Sequence, residues 1–227
     1  MVGDGRCARR AVGAGAEALR AALAVVAPVR CAGCGREDEA LCPSCARALR
    51  PDPRIRPLPG LAVAAAAEYA GTVRAVLLAM KAGDRPALCR PLAAMLGPAL
   101  DLLAREVTGP GEVDLVPVPS TAAAVRERGF RHVDRLIAAL PRPGRPHRAL
   151  RLSGDNVDQA GLGRAARFAQ RRAAFVCRPS PGRRFVLVDD IVTSGATLLA
   201  AADAARAAGA DVVGAAVVAS TRRQENL

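Results

Sequence analysis

Short apolar runs alternate with helix-like stretches along most of this chain. Runs rich in Ala, Val, Leu and Ile predict strands at residues 61–67, 113–119, 185–188 and 211–219. Apolar residues at helical spacing predict helices at 73–80, 87–104, 162–174 and 198–209, and another that follows the strand at 113–119 and ends at 140. Strands that alternate with helices favour an α/β fold, in which helices cover both faces of a parallel sheet.

One segment, FVLVDDIVTSGAT at 185–197, joins a predicted strand to a predicted helix. Its apolar run Phe185–Val188 is continuous, as in a parallel strand buried on both faces, and Asp189 and Asp190 follow at the predicted carboxyl end. The next loop offers hydroxyl and backbone N–H groups at a helix start, where the helix dipole favours an anion. It therefore predicts a phosphate site. The loop residues are Thr193, Ser194, Gly195, Ala196 and Thr197.

The two carboxylates beside this loop need a role of their own, because they would repel a phosphate. Contacts with ribose hydroxyl groups or with Mg²⁺ would use their charge, so the segment predicts a pocket for a ribose 5-phosphate. A capped turn with two solvated aspartates is the simpler alternative, but a cap uses only one Asp, Ser or Thr. The stretch 186–197 resembles the signature of type I phosphoribosyltransferases: an apolar strand, two acidic residues, two aliphatic residues and a hydroxyl-rich loop.

Arginine dominates the charge of the chain. Lys and Arg total 33 against 21 Asp and Glu, and the formal net charge of +12 favours polyanionic partners such as nucleic acid or a phosphorylated substrate. The alternative is a GC-rich genome that inflates arginine on solvated faces. With one Tyr, four Phe and no Trp, the chain has little aromatic surface for stacking bases.

Lys81 is the only lysine among the 33 basic residues. A compact ammonium group suits a point-charge contact with phosphate, which the planar guanidinium group of arginine does not reproduce. We therefore expect Lys81 to bind phosphate, although a chance lysine at a helix end is the alternative.

Four cysteines form two C-x-x-C pairs separated by seven residues. They are Cys31, Cys34, Cys42 and Cys45. Four thiolates fill a tetrahedral Zn²⁺ site without an open position, so we predict a structural zinc. Two disulfides are the alternative, but we expect a cytoplasmic, reducing location for a basic chain without an export signal. The remaining cysteines are expected to be small buried apolar residues: Cys7, Cys89 and Cys177.

The pattern divides the chain into a zinc module with an N-terminal helix at 1–50, a proline-rich linker at 51–60 and an α/β domain at 61–227. The apolar patch 21–29 is interpreted as an amphipathic or capping helix rather than a signal peptide. No stretch reaches 18 uncharged apolar residues, so we expect no membrane insertion.

A second candidate site follows the predicted strand DLVPVPS, which ends at its prolines. Ser120 and Thr121 can cap the next helix, and basic residues around Gly129 include Arg128. The others are Arg126, Arg131 and His132. A diphosphate would lie between this strand end and the 193–197 loop. A capped helix with a basic solvated face is the alternative.

Taken together, the chain from about residue 31 resembles the ComF family of competence-associated proteins, which join a Cys₄ zinc module to a phosphoribosyltransferase domain. The resemblance rests on the cysteine pairs, Tyr69, the Lys81–Asp84 motif, and the segments 116–130, 158–162 and 189–197, with Arg167 and Phe175. The chain departs from the family pattern at two places, both in the segment expected to form a flexible hood over the site. Gln170 stands where the family usually has Asn, and the segment from Arg151 has fewer arginines than the family usually has there.

The resemblance implies a type I phosphoribosyltransferase-like fold and binding of 5-phosphoribosyl 1-diphosphate (PRPP) with Mg²⁺. In that scheme Asp189 and Asp190 hold ribose and metal, the loop at 193–197 binds the 5-phosphate, and Lys81 and Arg128 neutralise the diphosphate. The resemblance also implies a link to DNA uptake, but it does not indicate which acceptor base would receive the phosphoribosyl group. Three hypotheses remain open: phosphoribosyl transfer, non-catalytic binding of PRPP or a nucleotide, and binding of single-stranded DNA with the zinc module contacting a helicase.

Overall fold

The computed structural model describes residues 29–82, 85–141, 144–153 and 175–221, and its main feature is a five-stranded sheet. The strands are β1 (Arg54–Leu58), β2 (Leu61–Glu68), β3 (Asp114–Pro117), β4 (Leu150–Leu152), β5 (Phe175–Cys177), β6 (Arg184–Val192) and β7 (Asp211–Ser220). The α-helices are α1 (Pro43–Ala48), α2 (Gly71–Lys81), α3 (Cys89–Leu103), α4 (Ala122–Arg128), α5 (His132–Ala138) and α6 (Ala196–Ala207). A 3₁₀ turn (Pro86–Leu88) precedes α3 and a π-helical turn (Ala104–Thr108) follows it.

The main sheet has the strand order β1-β2-β7-β6-β3, and only β1 runs antiparallel to its neighbour. The strands β4 and β5 form a separate antiparallel pair. The predicted α/β class is thereby confirmed: a mostly parallel sheet flanked by helices, as in type I phosphoribosyltransferases, with a small four-cysteine module before it.

Both faces of the sheet are covered, which explains the continuous apolar run in β6. Val186 and Val188 join the core formed with α2, α3 and α5, whereas Phe185 and Leu187 join the core formed with α6. Each successive side chain of a strand points to the opposite face, so a strand buried on both sides needs apolar residues at every position. The helices on each face hold the carboxyl ends of β2, β3, β6 and β7 at one edge of the sheet.

The predicted linker at 51–60 contains a strand. β1 pairs with β2 in the register Arg54↔Ala65 to Leu58↔Leu61, and the turn between them has Gly60 at φ +68°. Pro57 is tolerated because β1 is an edge strand. The segment is thus part of the sheet rather than a spacer, although the division of the chain into three parts otherwise stays a prediction.

Two further segments differ from their predictions. The helix expected to end at 140 is broken into α4 and α5 at Gly129, which has φ +74°. The segment between the helix predicted to end at 140 and the helix predicted to begin at 162 contains β4, which pairs with β5. The predicted helix at 162–174, the departure at Gln170 and most of the 21–29 patch lie outside the described residues.

The segment Pro86–Thr108 is long and apolar enough to cross a membrane by length and composition, with a mean hydropathy of 1.4. Its helix α3 nevertheless packs against β2 and β7. Leu92, Ala93, Leu96 and Ala99 are fully buried. This packing is that of a helix in the core of an α/β domain.

Candidate functional site

The signature segment extends further as a strand than its apolar run predicts. β6 continues to Val192, so Asp189 and Asp190 lie within the strand rather than after it. The alternation of β6 sends Asp190 to the same face as Val186 and Val188. Asp189 pairs in register with Val217 and is half-buried. The adjacent carboxylates therefore occupy different surroundings.

Asp190 is held between two helices. Its Oδ2 lies 2.8 Å from Lys81 Nζ, at the end of α2, and 2.8 Å from His132 Nε2, at the start of α5. Oδ2 has no hydrogen bond of good geometry among the described residues, but both nitrogen atoms lie within ion-pair distance of it. Burial alone would raise the pKa of Asp190, but His132 and Lys81 lower it to about 2. Asp190 is therefore ionised at neutral pH.

Asp189 has the opposite shift. Burial raises its pKa well above the usual value, and the charge of Asp190 raises it further. Its Oδ1 accepts a hydrogen bond of 2.8 Å from the backbone N–H of Asp190. Two neighbouring carboxyl groups whose pKa values are pushed apart are suited to different chemical roles.

The predicted phosphate loop lies where β6 meets α6. Thr193, Ser194 and Thr197 are exposed, and Gly195 is buried at φ +83°. Ser194 Oγ accepts a hydrogen bond of 3.3 Å from the backbone N–H of Ala196, the first residue of α6. The loop thus presents hydroxyl groups at the positive end of a 12-residue helix.

Strand β1 supports this loop from behind, a role that sequence reasoning missed. The Arg56 guanidinium group donates hydrogen bonds to the carbonyl of Thr193 at 2.5 Å and to Ser220 Oγ at 2.9 Å. Leu58 packs so closely against Gly195 that an added Cβ would lie 2.4 Å from its Cδ1. The alternating segment RIRPL at 54–58 was the available signal, but its proline-rich surroundings favoured a linker.

The second candidate site is only partly assembled. Ser120 follows β3 and lines a cavity of about 360 Å³ together with Arg126, Arg131 and Arg151. Arg128 instead donates from Nε to the Ala124 carbonyl at 2.9 Å, within its own helix. Thr121, rather than Ser120, caps α4. The structure brings Lys81 to Asp190 and does not bring Arg128 to this cavity.

The carboxylate pair also has the chemistry of a cation site. One ligand atom each from His132, Asp189 and Asp190 lie within 4.8 Å of one another. Mg²⁺ is usually held by one or two carboxylates together with substrate phosphates. Asp189 fits that requirement, whereas Asp190 Oδ2 already faces two nitrogen atoms.

The four paired cysteines meet in one cluster, with all sulfur atoms within 4.8 Å of one another. Cys34 Sγ and Cys42 Sγ are 3.7 Å apart, close to the edge of about 3.8 Å that a tetrahedron with Zn–S bonds of about 2.3 Å requires. The backbone N–H of Cys42 donates to Cys31 Sγ at 3.3 Å. A Cβ at Gly33 would lie 2.6 Å from Cys45 Sγ. The described cysteines form no disulfide, and this cradle fits zinc.

The thiols of this cluster have unequal pKa values. Burial alone would raise the pKa of Cys31, but backbone N–H groups, chiefly that of Cys42, lower it to about 6. Burial and the neighbouring thiol groups raise the pKa of Cys45 to about 12. Since zinc ligands are thiolates, metal binding to this cluster would release protons.

Residues 178–227 match the family model of the phosphoribosyl transferase domain. The match includes β6, the loop at 193–197, α6 and β7, which contain the two aspartates and the candidate phosphate site. A search of curated proteins finds no match.

Proposed function

We propose that this chain binds PRPP as a phosphoribosyltransferase-like protein, with its site at the carboxyl end of β6. The observation that carries the proposal is the carboxylate pair of β6 beside an exposed hydroxyl-rich loop at the start of α6. The family match over the same residues supports it. A site that bound only a phosphate at the loop would give the neighbouring carboxylate of Asp189 no function. A ligand that also carries ribose hydroxyl groups or Mg²⁺ gives it one.

In this proposal different residues bind different parts of PRPP. The loop at 193–197 binds the 5-phosphate, and Asp189 accepts hydrogen bonds from ribose hydroxyl groups or holds Mg²⁺, which would help to neutralise the diphosphate. Asp190 completes the acidic end of the strand. Lys81, Ser120 and Arg128 stay the predicted contacts of the diphosphate.

The wider role we propose is that of a ComF-type protein, cytoplasmic and linked to DNA uptake. The four-cysteine cluster before a phosphoribosyltransferase-like sheet supports this proposal. Phosphoribosyl transfer to an acceptor is one form of the activity, and non-catalytic binding of PRPP or a nucleotide is the other. Steady release of diphosphate in the presence of an acceptor would separate them.

A second candidate is binding of single-stranded DNA, with the zinc module contacting a helicase. The cavity beside Ser120 favours it, because three arginines line the cavity. Since phosphate contacts release counterions, we expect affinity for a single strand to fall steeply with salt and to depend little on sequence. Salt-independent or sequence-selective binding would contradict this candidate.

The PRPP proposal is tested by isothermal titration calorimetry with PRPP and Mg²⁺. We expect Asp189→Asn to lose at least about tenfold in affinity, because the amide keeps the volume but loses the charge that a ribose–metal contact uses. The control is Asp211→Asn, which changes an exposed aspartate at the amino end of β7. Equal affinity of Asp189→Asn and wild type would contradict the proposal.

A further inference from the structure

One oxygen of Asp190 is shared by two basic side chains from different helices. Lys81 and His132 both lie 2.8 Å from Oδ2, but the Lys81 side chain is 33% exposed and the His132 side chain only 5%. Asp190 is itself 5% exposed. The two contacts therefore differ in how freely the partner can leave.

We propose that His132 is a positioning residue, which holds the Asp190 carboxylate in place while Lys81 moves its ammonium group to the diphosphate of a bound ligand. The inference rests on the proposed function. The inference explains how Lys81 can contact Asp190 in the free protein and still bind the diphosphate when a ligand is present. Lys81 can leave Asp190 only if another partner, His132, stays beside that carboxylate.

The position and the side chain of Lys81 allow its ammonium group to move away from Asp190. Lys81 is the last residue of α2, and its flexible four-carbon stem carries a compact charge that can turn toward solvent. An incoming diphosphate offers more negative charge than one carboxylate. If Lys81 were the only partner of Asp190, its departure would leave a buried charge unpaired, which proteins avoid.

The surroundings of His132 hold its ring beside Asp190. The His132 backbone begins α5, whose next residue Val133 is buried in the core shared with α2 and α3. The other ring nitrogen, Nδ1, is buried without a hydrogen-bond partner among the described residues, so Asp190 is the polar contact that the structure gives this ring. That contact is attractive whenever Nε2 carries a hydrogen. The titratable groups around Asp190 are thus Lys81, His132 and Asp189.

The first test needs no ligand and compares thermal unfolding of variants. We expect His132→Met to lower Tm by at least about 5 °C, because it removes the buried partner of a buried charge. Lys81→Met should lower Tm by less than half of that shift. His132→Gln should have a Tm much closer to that of wild type than His132→Met has, because the amide N–H of the glutamine can reach Oδ2. The control is His147→Gln, the other histidine of the chain, which lies 5.5 Å from the Phe185 ring and not at Asp190.

Equal shifts for Lys81→Met and His132→Met, or no recovery in His132→Gln, would overturn the inference. If His132→Met fails to fold, comparison of His132→Gln with Lys81→Met decides the point: the former should be the more stable of the two.

The second test follows the imidazole NMR signals, which two histidines make simple to assign. We expect PRPP with Mg²⁺ to shift the His132 signal in wild type but much less in Lys81→Met, where the lysine contact is already lost. Ribose 5-phosphate, which lacks the diphosphate, should shift it less than PRPP. The His147 signal should stay unchanged throughout. An unchanged His132 signal on saturation with PRPP would overturn the inference.

The two failures are distinguishable. Absence of PRPP binding by wild type would contradict the proposed function, whereas the ligand-free unfolding series would still show whether His132 holds Asp190.

Discussion

At the residue scale, the adjacent carboxylates Asp189 and Asp190 illustrate how one peptide bond separates two environments. Strand alternation places Asp190 between Lys81 and His132, which lower its pKa to about 2. For Asp189, burial and the charge of Asp190 raise the pKa by more than the charge of Lys81 lowers it. Asp190 is thus an ionised anchor, and Asp189 is the carboxylate available to a ligand.

Opposite pKa shifts predict opposite effects on folding. A carboxyl group with a lowered folded-state pKa stabilises the fold above its unfolded pKa and loses this effect as the pH falls. Replacing Asp190 by Asn should therefore lower the free energy of unfolding at pH 7 by about 2 kcal/mol, and the difference from wild type should begin to close below pH 4.

Asp189→Asn should behave differently. A group with a raised folded-state pKa favours folding most at low pH and loses that contribution as the pH rises through the raised value. The variant should accordingly be as stable as wild type, or more stable, at pH 7. Urea unfolding of both variants from pH 7 to pH 3 measures this, and equal destabilisation by the two substitutions at pH 7 would contradict the assignment.

At the scale of elements, the phosphate loop depends on a strand far from it in sequence. β1 contacts the loop through Arg56, which donates to the carbonyls of Val192, Thr193 and Thr221 and to Ser220 Oγ. Its neighbour on the same face of β1, Arg54, is exposed and pairs with Asp52. One strand thus carries both a buttress of the site and a solvated arginine.

This difference predicts unequal effects of matched substitutions. Arg56→Met should destabilise the fold by about 2 kcal/mol, because it leaves partly buried carbonyl groups without a charged donor. It should also weaken binding of ribose 5-phosphate. Arg54→Met should change stability by less than about 0.5 kcal/mol, since exposed ion pairs contribute little. Chemical unfolding and calorimetry check both variants, and similar results for the two would rule out a special role of Arg56.

Gly195 allows the loop to turn closely against β1. It combines φ +83° with contact to Leu58, whereas Gly182 has φ +70° and no atom within 4 Å of an added Cβ. Ala at Gly182 should cost only the strain of a left-handed backbone, about 1 kcal/mol. Ala at Gly195 should cost more and weaken ribose 5-phosphate binding. Denaturant titration and calorimetry measure these effects, and unchanged ligand affinity in Gly195→Ala would contradict the proposed phosphate site.

At the scale of the whole molecule, α2 links the cysteine module to the candidate site. A Cβ at Gly33 would lie 3.1 Å from Thr72 Cγ2 near the start of α2, and Lys81 ends the same helix at Asp190. Leu49, just after the module's helix α1, is buried in the core of the domain. The module is therefore packed onto the element that positions Lys81.

We predict about one zinc per purified chain. Cys45→Ser should lose this zinc and unfold at a lower temperature, because metal binding by four thiolates is worth on the order of 10 kcal/mol. Cys89→Ser is the matched control, since Cys89 is buried but lies outside the cluster. Elemental analysis and thermal unfolding with and without a chelator provide the measurement. Zinc retained at full stoichiometry after all four cysteines are replaced by serine would refute the assignment.

Local pattern was sufficient for the fold class and for the segments that carry candidate chemistry. The apolar run of β6, the adjacent aspartates and the hydroxyl-rich loop are consecutive in sequence, and the spacing of the cysteine pairs is short. Such features depend on strand alternation, helix capping and ligand spacing, which act over a few residues. The roles assigned to individual site residues stay predictions.

Only the tertiary structure decided which distant residues meet. The pairing of Lys81 and His132 with Asp190, the support of the 193–197 loop by β1 and the turn of Arg128 away from the cavity all join or separate residues from different elements. No local pattern encodes these contacts, because they result from strand order and helix packing across the sheet. The sequence thus determined the parts of the candidate site, and packing determined which of its charges are buried, paired or accessible.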